Sequence, residues 1–422
     1  MTELFSKNRN FRSLLLFSTF SGIGRGIFSM FMVWVVHAIY QNPMYTGIAG
    51  FMFSAPLVAS FIVGPFVDRW NKVTVLRITG FIKLCVTIAL FLTAHIMDDY
   101  PGAWLFFLAI LIFSISSLFS TPAYTALLPR VVDGKDLIKA NALMTMVGVV
   151  CGLGVGALLY ILLDGGAEFA VAYGVNSAVL LLALLFAALL HSNESYDNET
   201  TSDKSSLAIY LNELKTGFSF VKKGVMLPLV TAAVSMNFFA RVAYVNLPMF
   251  AELHFGTASG YIILSALAMA GALIGSYISK AVESKFELWK IFVGCFILAG
   301  VTRILFVSVI TNDLQRAIWI YILYIGIGST IGIFYRALVQ KLPPKSLISR
   351  VDTTITSLAA IATAIGALVG GLLGTHLPTV DMVFIIQGIS YITIGVCLLF
   401  SKQVRELSKV GALGENSSNS TA

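Results

Sequence analysis

The sequence predicts an all-α integral membrane protein of twelve transmembrane helices arranged as two pseudo-symmetric six-helix bundles. Three observations predict it. The 422 residues are 57% hydrophobic and only 12% charged, more apolar surface than one water-soluble core of ordinary composition can hide. The apolar residues fall into twelve runs of bilayer length, each near the ~20 residues that cross the hydrocarbon layer as a helix. Lysine and arginine alternate between rich and bare loops, as the positive-inside rule requires. A transmembrane barrel would instead show short segments of alternating polarity, and these runs are continuously apolar.

The expected spans are 12–38, 46–67, 75–97, 103–126, 140–163, 168–190, 228–251, 257–280, 289–310, 316–340, 353–375 and 380–401. Cations mark one side: Arg69, Lys72 and Arg77; Arg130, Lys135 and Lys139; Lys204, Lys215, Lys222 and Lys223; Lys280, Lys285 and Lys290; Lys341, Lys345 and Arg350. The opposite loops read Gln41-Asn42-Pro43, Asp98-Asp99-Tyr100-Pro101, Asp164-Gly165-Gly166 and Glu252-Leu253-His254, with Arg316 the exception. Both termini are therefore expected in the cytoplasm and the chain in the cell membrane. The net charge of +7 is spread through these loops and gathers on no folded face, so it sets topology and implies no nucleic-acid partner. Cys85, Cys151, Cys295 and Cys397 lie inside apolar runs without metal-like spacing, so neither disulfides nor a metal site is expected. The first run is too long for a signal-peptide core.

The expected organisation is an N-terminal bundle over 1–190, a linker over 191–227, a C-terminal bundle over 228–401 and a cytoplasmic, disordered tail over 402–422. The linker is polar from His191 to Ser206 and then amphipathic, with Leu207, Leu211, Leu214, Phe218 and Val221 at helical spacing. That stretch either lies along the cytoplasmic membrane surface or extends the seventh span. The halves echo one another. Ser54-Ala55 and Gly64 return as Ser265-Ala266 and Gly275 (275 − 64 = 211), and Tyr124-x-Ala126-Leu127 returns as Tyr335-x-Ala337-Leu338 at the same offset. A duplicated six-helix unit is the repeat arrangement of many secondary transporters.

Between the second and third spans, Gly64-Pro65-Phe66-Val67-Asp68-Arg69-Trp70-Asn71-Lys72-Val73-Thr74-Val75-Leu76 resembles the loop signature of the major facilitator superfamily. The resemblance implies a cytoplasmic latch: Gly64 lets the second span end close to a neighbouring backbone, Asp68 faces a helix N-terminus, and Arg69 and Lys72 pair locally or meet headgroups. Pro122-Ala123, Ala126-Leu127-Leu128-Pro129, Leu137 and Ala140-Asn141-Ala142-Leu143, together with Asn246-Leu247-Pro248, resemble the macrolide-efflux and siderophore-exporter branch. That implies proton-driven export of a small organic compound, with a small-molecule substrate and a proton as partners, a monomer in the bilayer and no cofactor.

Two glycine stripes, Gly148, Gly152 and Gly156 in the fifth span and Gly366, Gly370 and Gly374 in the eleventh, recur at every fourth residue, and Gly271 and Gly275 answer in the eighth. Such faces let helices approach closely in lipid. By the resemblance they are assigned to the interface between halves that rocks during transport. The fifth-span stripe is similar to the antiporter glycine motif but carries Leu153 where that motif has proline and Ala157 where it has glycine.

The first span carries Ser18, Gly22, Arg25 and Ser29 along one face, and the seventh carries Asn237, Arg241 and Tyr244. An arginine at mid-span costs about 2.5–3.5 kcal/mol on insertion scales, so Arg25 and Arg241 must face water, a partner or a substrate. The first and seventh spans line the central cavity in the resembled family. Arg25, Ser29, Asn237, Arg241 and Tyr244 are therefore the expected cavity residues, with Tyr321 and Tyr324 of the tenth span as an aromatic wall, and the two guanidiniums favour an anionic or oxygen-rich substrate. Every Asp and Glu sits in a loop or near a helix end, Glu252 and Asp352 coming closest to entering, so the coupling residue is unassigned. Lys83 and Arg303 are close enough to a surface for snorkelling. An organic-anion importer or a lysophospholipid flippase would share this fold. An enzyme would need clustered nucleophiles, metal ligands or acid–base pairs in the spans, and an ATP-driven pump would need a phosphate-binding glycine loop; the sequence contains neither.

Overall fold

The computed structural model describes residues 8–60, 63, 67, 70–96, 102–132, 140, 143–144, 147–148, 151, 154–155, 158–159, 168–191, 215–222, 224–256, 258–344 and 347–407. The elements are helical throughout: α1 Arg9–Tyr40, α2 Pro43–Ser54 running into a 3₁₀ turn Ala55–Ala59, α3 Lys72–Ile96, α4 Ala103–Val131, α5 Phe169–Ala188, α6 Met226–Tyr244, α7 Leu247–Phe255, α8 Ala258–Lys285, α9 Leu288–Ile310, α10 Leu314–Lys341, α11 Ile348–His376, α12 Asp381–Phe400 and a terminal turn α13 Lys402–Arg405. Among the described residues, ten helices are long and apolar enough to cross a membrane. Helix is the form that satisfies every backbone N–H and C=O within its own segment where no water can.

Helix starts and stops follow local chemistry. Asn8 caps α1 by accepting the Phe11 N–H, Asn42 accepts the Met44 N–H ahead of Pro43, and Asp313 accepts the Arg316 N–H at 3.0 Å; each satisfies a donor that has no partner inside the helix. Gly256 ends α7 at φ 71°, a left-handed conformation that glycine adopts without a Cβ penalty. The expected seventh span breaks into α6 and α7 because Pro248 has no N–H to continue the ladder. Asn246, fully buried at the break, donates its side-chain amide to Val242 O at 2.9 Å and Gly370 O at 2.8 Å.

The chain folds as two compact units, residues 1–206 with 257–263, and residues 207–256 with 264–422. In the first, α5 packs on α1 and α3, α3 also on α4, and α2 on α4 and α1; in the second, α9 packs on α10 and α12, and α6 on α11 and α12. The pairings of α3 with α4 and α5 thus recur in the second unit as those of α9 with α10 and α12. At one end of the first unit the Arg77 guanidinium donates to the carbonyls of Ala187, Ala188 and Leu190 at 3.1, 3.0 and 2.8 Å, a cation on the orphan carbonyls of a helix C-terminus. Outward faces carry exposed Ile78, Phe81, Leu92, Leu181 and Leu185, the pattern of surfaces solvated by lipid.

Within the linker, Leu207 to Leu214 lie outside the described residues. Residues 215–221 are helical, and a Cβ on Gly217 would collide with Thr354 and the Arg350 carbonyl, so this turn lies flush against the start of α11. Gly224 at φ 57° separates it from α6, so the described part of the segment does not extend the seventh span.

Candidate functional site

Arg25 stands sixteen residues after Arg9 and fifteen before Tyr40 in α1 (25 − 9; 40 − 25), about 22 Å from either end at 1.5 Å per residue. Its side chain is exposed. Ser29 returns its hydroxyl to the Gly26 carbonyl at 3.1 Å. Lys83 of α3 is close enough to Arg25 for the two charges to repel, yet it points into the unit. It is 3% exposed, donates to Ser120 Oγ at 3.0 Å and sits 5.5 Å from the Phe113 ring centroid. The snorkelling expected of Lys83 is therefore wrong: its ammonium turns inward because α4 offers a hydroxyl and an aromatic face there. Ser120 was not singled out among the polar residues of the fourth span, although a serine on a face otherwise filled by Ala123, Leu127 and Phe113 is the available signal.

Arg303 corrects the same expectation in the second unit. It is 4% exposed, donates through Nε to Gln387 Oε1 at 2.9 Å, and its guanidinium lies 4.5, 4.7, 5.5 and 5.8 Å from the ring centroids of Phe384, Tyr324, Phe306 and Tyr321. Gln387 Nε2 in turn donates to the Tyr324 and Tyr391 hydroxyls at 2.9 and 3.2 Å, and Tyr391 donates to the Met236 carbonyl. Stacking suits a planar, weakly hydrated cation. Tyr321 and Tyr324, expected as a cavity wall, are 4% and 8% exposed; they belong to the cladding of this cation. Gln387, the lone amide in the apolar run of α12, was missed by sequence reasoning.

A cavity of about 590 Å³ opens inside the second unit among α6, α9, α10 and α11. Its apolar wall includes Leu229, Phe292, Phe296 and Ile331, and its polar wall is Asn237, Tyr335, Arg336, Gln340, Asp352 and Thr356. Asn237 gives one amide hydrogen to the Ala233 carbonyl at 2.8 Å. Asp352 and Arg336 are both exposed to this space, and among the described residues no ion pair joins them. Of the expected cavity residues, Asn237 lies on this wall, while Arg241 is half-buried with its guanidinium 5.1 Å from the Tyr244 ring centroid.

The glycines of α8 and α11 make close backbone contacts. A Cβ on Gly271 would meet Ile322 O at 2.8 Å, and one on Gly275 would strike the backbone of Gly326; on Gly366 and Gly370 it would meet Phe238 O and Val242 O, each at 2.6 Å. These four seat α8 on α10 and α11 on α6 within the second unit, because the bare face of each helix meets backbone of its own bundle. Gly374 is buried on α11, and Gly148 has open space where its Cβ would stand. Gly152 and Gly156 lie outside the described residues, as do Gly64, Asp68 and Arg69 of the expected latch. Lys72, the first residue of α3, is buried at 4% exposure.

Bundled bilayer-length helices, a guanidinium exposed at mid-span and a polar cavity among helices define a membrane transporter. The family model of the Major Facilitator Superfamily matches residues 14–358, and the chain belongs to that superfamily. It is 25% identical over 301 residues to an uncharacterized MFS-type transporter, YjbB, of Bacillus subtilis (strain 168), covering 67% of this chain and 68% of that one. Its fold is similar to the nucleoside transporter NupG (TM-score 0.68, 11% identity, covering 92% of this chain and 98% of that one). It is also similar to the peptide transporter POT in complex with sulfate (TM-score 0.73, 11% identity, 95% and 96% covered). A third likeness is to a bacterial homologue of the human lysosomal transporter Spinster in an inward-facing, unoccupied conformation (TM-score 0.65, 14% identity, 97% and 96% covered).

Proposed function

We propose that this transporter is a secondary active exporter, in the cell membrane with both termini cytoplasmic, that moves a small amphipathic organic compound of anionic or oxygen-rich character by alternating access and proton antiport. One observation carries the reading. Arg25 is exposed at the middle of α1, and a guanidinium facing hydrocarbon at that depth costs about 2.5–3.5 kcal/mol or more. An arginine kept there serves a water-filled passage. Its open guanidinium raises the potential toward anions. An anionic siderophore fits that potential better than a macrolide-like drug, whose charge is wholly cationic. Proton antiport is the drive that the resemblance to the exporter branch implies.

The test is efflux of a labelled catecholate siderophore from loaded cells, read beside protein abundance. Export should rise with expression, and Arg25→Ala should cut it by about tenfold or more, a loss of ~1.4 kcal/mol in recognition, with near-normal abundance in the membrane. Labelled compound accumulating inside intact cells as expression rises would overturn export in favour of organic-anion import. Movement of lysophospholipid alone between leaflets would make the chain a flippase.

A further inference from the structure

We propose that the cavity inside the second unit is a binding site for a small zwitterionic amphipath, with Asp352 receiving its cationic nitrogen and Arg336 its anionic oxygens. The site is built from four helices, and its charges are level with one another. Arg336 lies five residues before the end of α10 (341 − 336) and Asp352 four residues after the start of α11 (352 − 348), each about 6–8 Å into its helix. Gln340 stands nearer the rim. Asn237, eleven residues into α6 (237 − 226), stands deeper, at about 16 Å. The aromatic wall of Phe292 and Phe296 flanks the space between.

The open state of the two charges is the argument. A carboxylate and a guanidinium on one cavity wall ordinarily close on each other, since the pair offers bidentate hydrogen bonds. Here each side chain lies open to the cavity, and among the described residues neither takes part in an ion pair or hydrogen bond with the other. Nearby, the Tyr335 hydroxyl is buried without a hydrogen-bond partner among the described residues. A ligand with one positive and one negative group would bridge what the protein leaves apart. A purely anionic ligand would meet Asp352 as a repulsive charge, and a purely cationic one would meet Arg336. The volume of about 590 Å³ is that of a site for a drug-sized molecule. The apolar walls require an apolar body behind the charged head.

This inference rests on the export reading and adds a cationic nitrogen to its oxygen-rich cargo, and binding separates the two. The full-length protein in nanodiscs is titrated calorimetrically with three probes sharing one body: diphenylalanine as zwitterion, N-acetyl-diphenylalanine as anion and diphenylalanine amide as cation. The zwitterion should bind about tenfold tighter than either, the value of one added charge contact. Asp352→Asn should erase its advantage over the anion alone, and Arg336→Gln its advantage over the cation alone, with the ligand-free melting temperature of each variant unchanged. Equal binding of the three probes, no binding of any at millimolar concentration, or preferences that survive both substitutions would overturn the site. Arg25-dependent efflux persisting in that case would leave the export reading standing and remove only the zwitterion site.

Discussion

Each unit buries a cation, Lys83 on α3 and Arg303 on α9, and the two solve the same problem with different materials. In the first, Lys83 has one hydroxyl, that of Ser120, and one aromatic face. In the second, Arg303 has an amide oxygen and four rings around a delocalised plane. No carboxylate joins either group among the described residues. An ammonium is a compact, strongly hydrated point charge that needs donated lone pairs, whereas a guanidinium spreads its charge and accepts aromatic faces in place of water. Charge can thus be held inside a helical bundle by polarisable rings, and the second unit takes this furthest. Its network also joins four helices, since Arg303, Gln387 and Tyr324 stand on α9, α12 and α10, and Tyr391 donates to the Met236 carbonyl of α6.

The largest expected effect breaks that network at its hub. Gln387→Leu removes the one acceptor that Arg303 Nε has and takes a donor from the Tyr324 and Tyr391 hydroxyls, leaving a buried charge with rings alone. The expected loss is about 3–5 kcal/mol, the penalty for stripping a buried ion of its partner, read as a fall in thermal stability of the purified protein in detergent. The double variant Arg303→Met with Gln387→Leu should recover most of it, because the charge that needed solvation is gone. A single variant as stable as the parent would mean that the aromatic box suffices without the amide.

How much of this was legible in the sequence follows from what each signal measures. Hydropathy measures length, so the expected spans 289–310 and 103–126 meet observed helices Leu288–Ile310 and Ala103–Val131. The sequence carries Asn246 only as part of a motif; the cause of the break is Pro248, which hydropathy does not weigh. Inward or outward direction was not legible, because Lys83 and Arg303 were judged by distance to a surface, and distance along a helix says nothing of which face a side chain leaves from. Partners were the better signal. Gln387 interrupts an apolar run as Arg303 does, and two lone polar groups in lipid-depth helices need one another. Asp352 was seen near a helix end, but its cavity depends on how α10 and α11 splay, which no local pattern encodes.

The glycines sharpen the contrast between units at intermediate size. Gly275 has no room for a methyl group against the Gly326 backbone, while Gly148 faces open space. Gly275→Ala must push α8 away from α10, and backbone cannot yield as a flexible side chain can, so a loss of about 1–3 kcal/mol is expected. Gly148→Ala should be neutral or gain up to ~1 kcal/mol from helix propensity. Thermal unfolding of the two variants side by side decides it; equal losses would show that the two stripes carry the same kind of close contact.

The smallest effect is expected at the lysine of the first unit. Ser120→Ala takes from Lys83 its 3.0 Å acceptor and leaves the Phe113 face, so about 1 kcal/mol should be lost, near the ordinary value of one hydrogen bond. The loss is smaller than at Gln387 for a physical reason: a flexible four-carbon stem can turn its head toward another carbonyl of α4, whereas Arg303 is held by rings on several sides. Lys83→Met, similar in length and uncharged, should then be tolerated at least as well as Ser120→Ala, because it removes the group that needed the acceptor. If Ser120→Ala instead cost as much as Gln387→Leu, the single hydroxyl would be anchoring Lys83 as firmly as the whole amide and aromatic assembly anchors Arg303, and the difference drawn between the two bundles would fail.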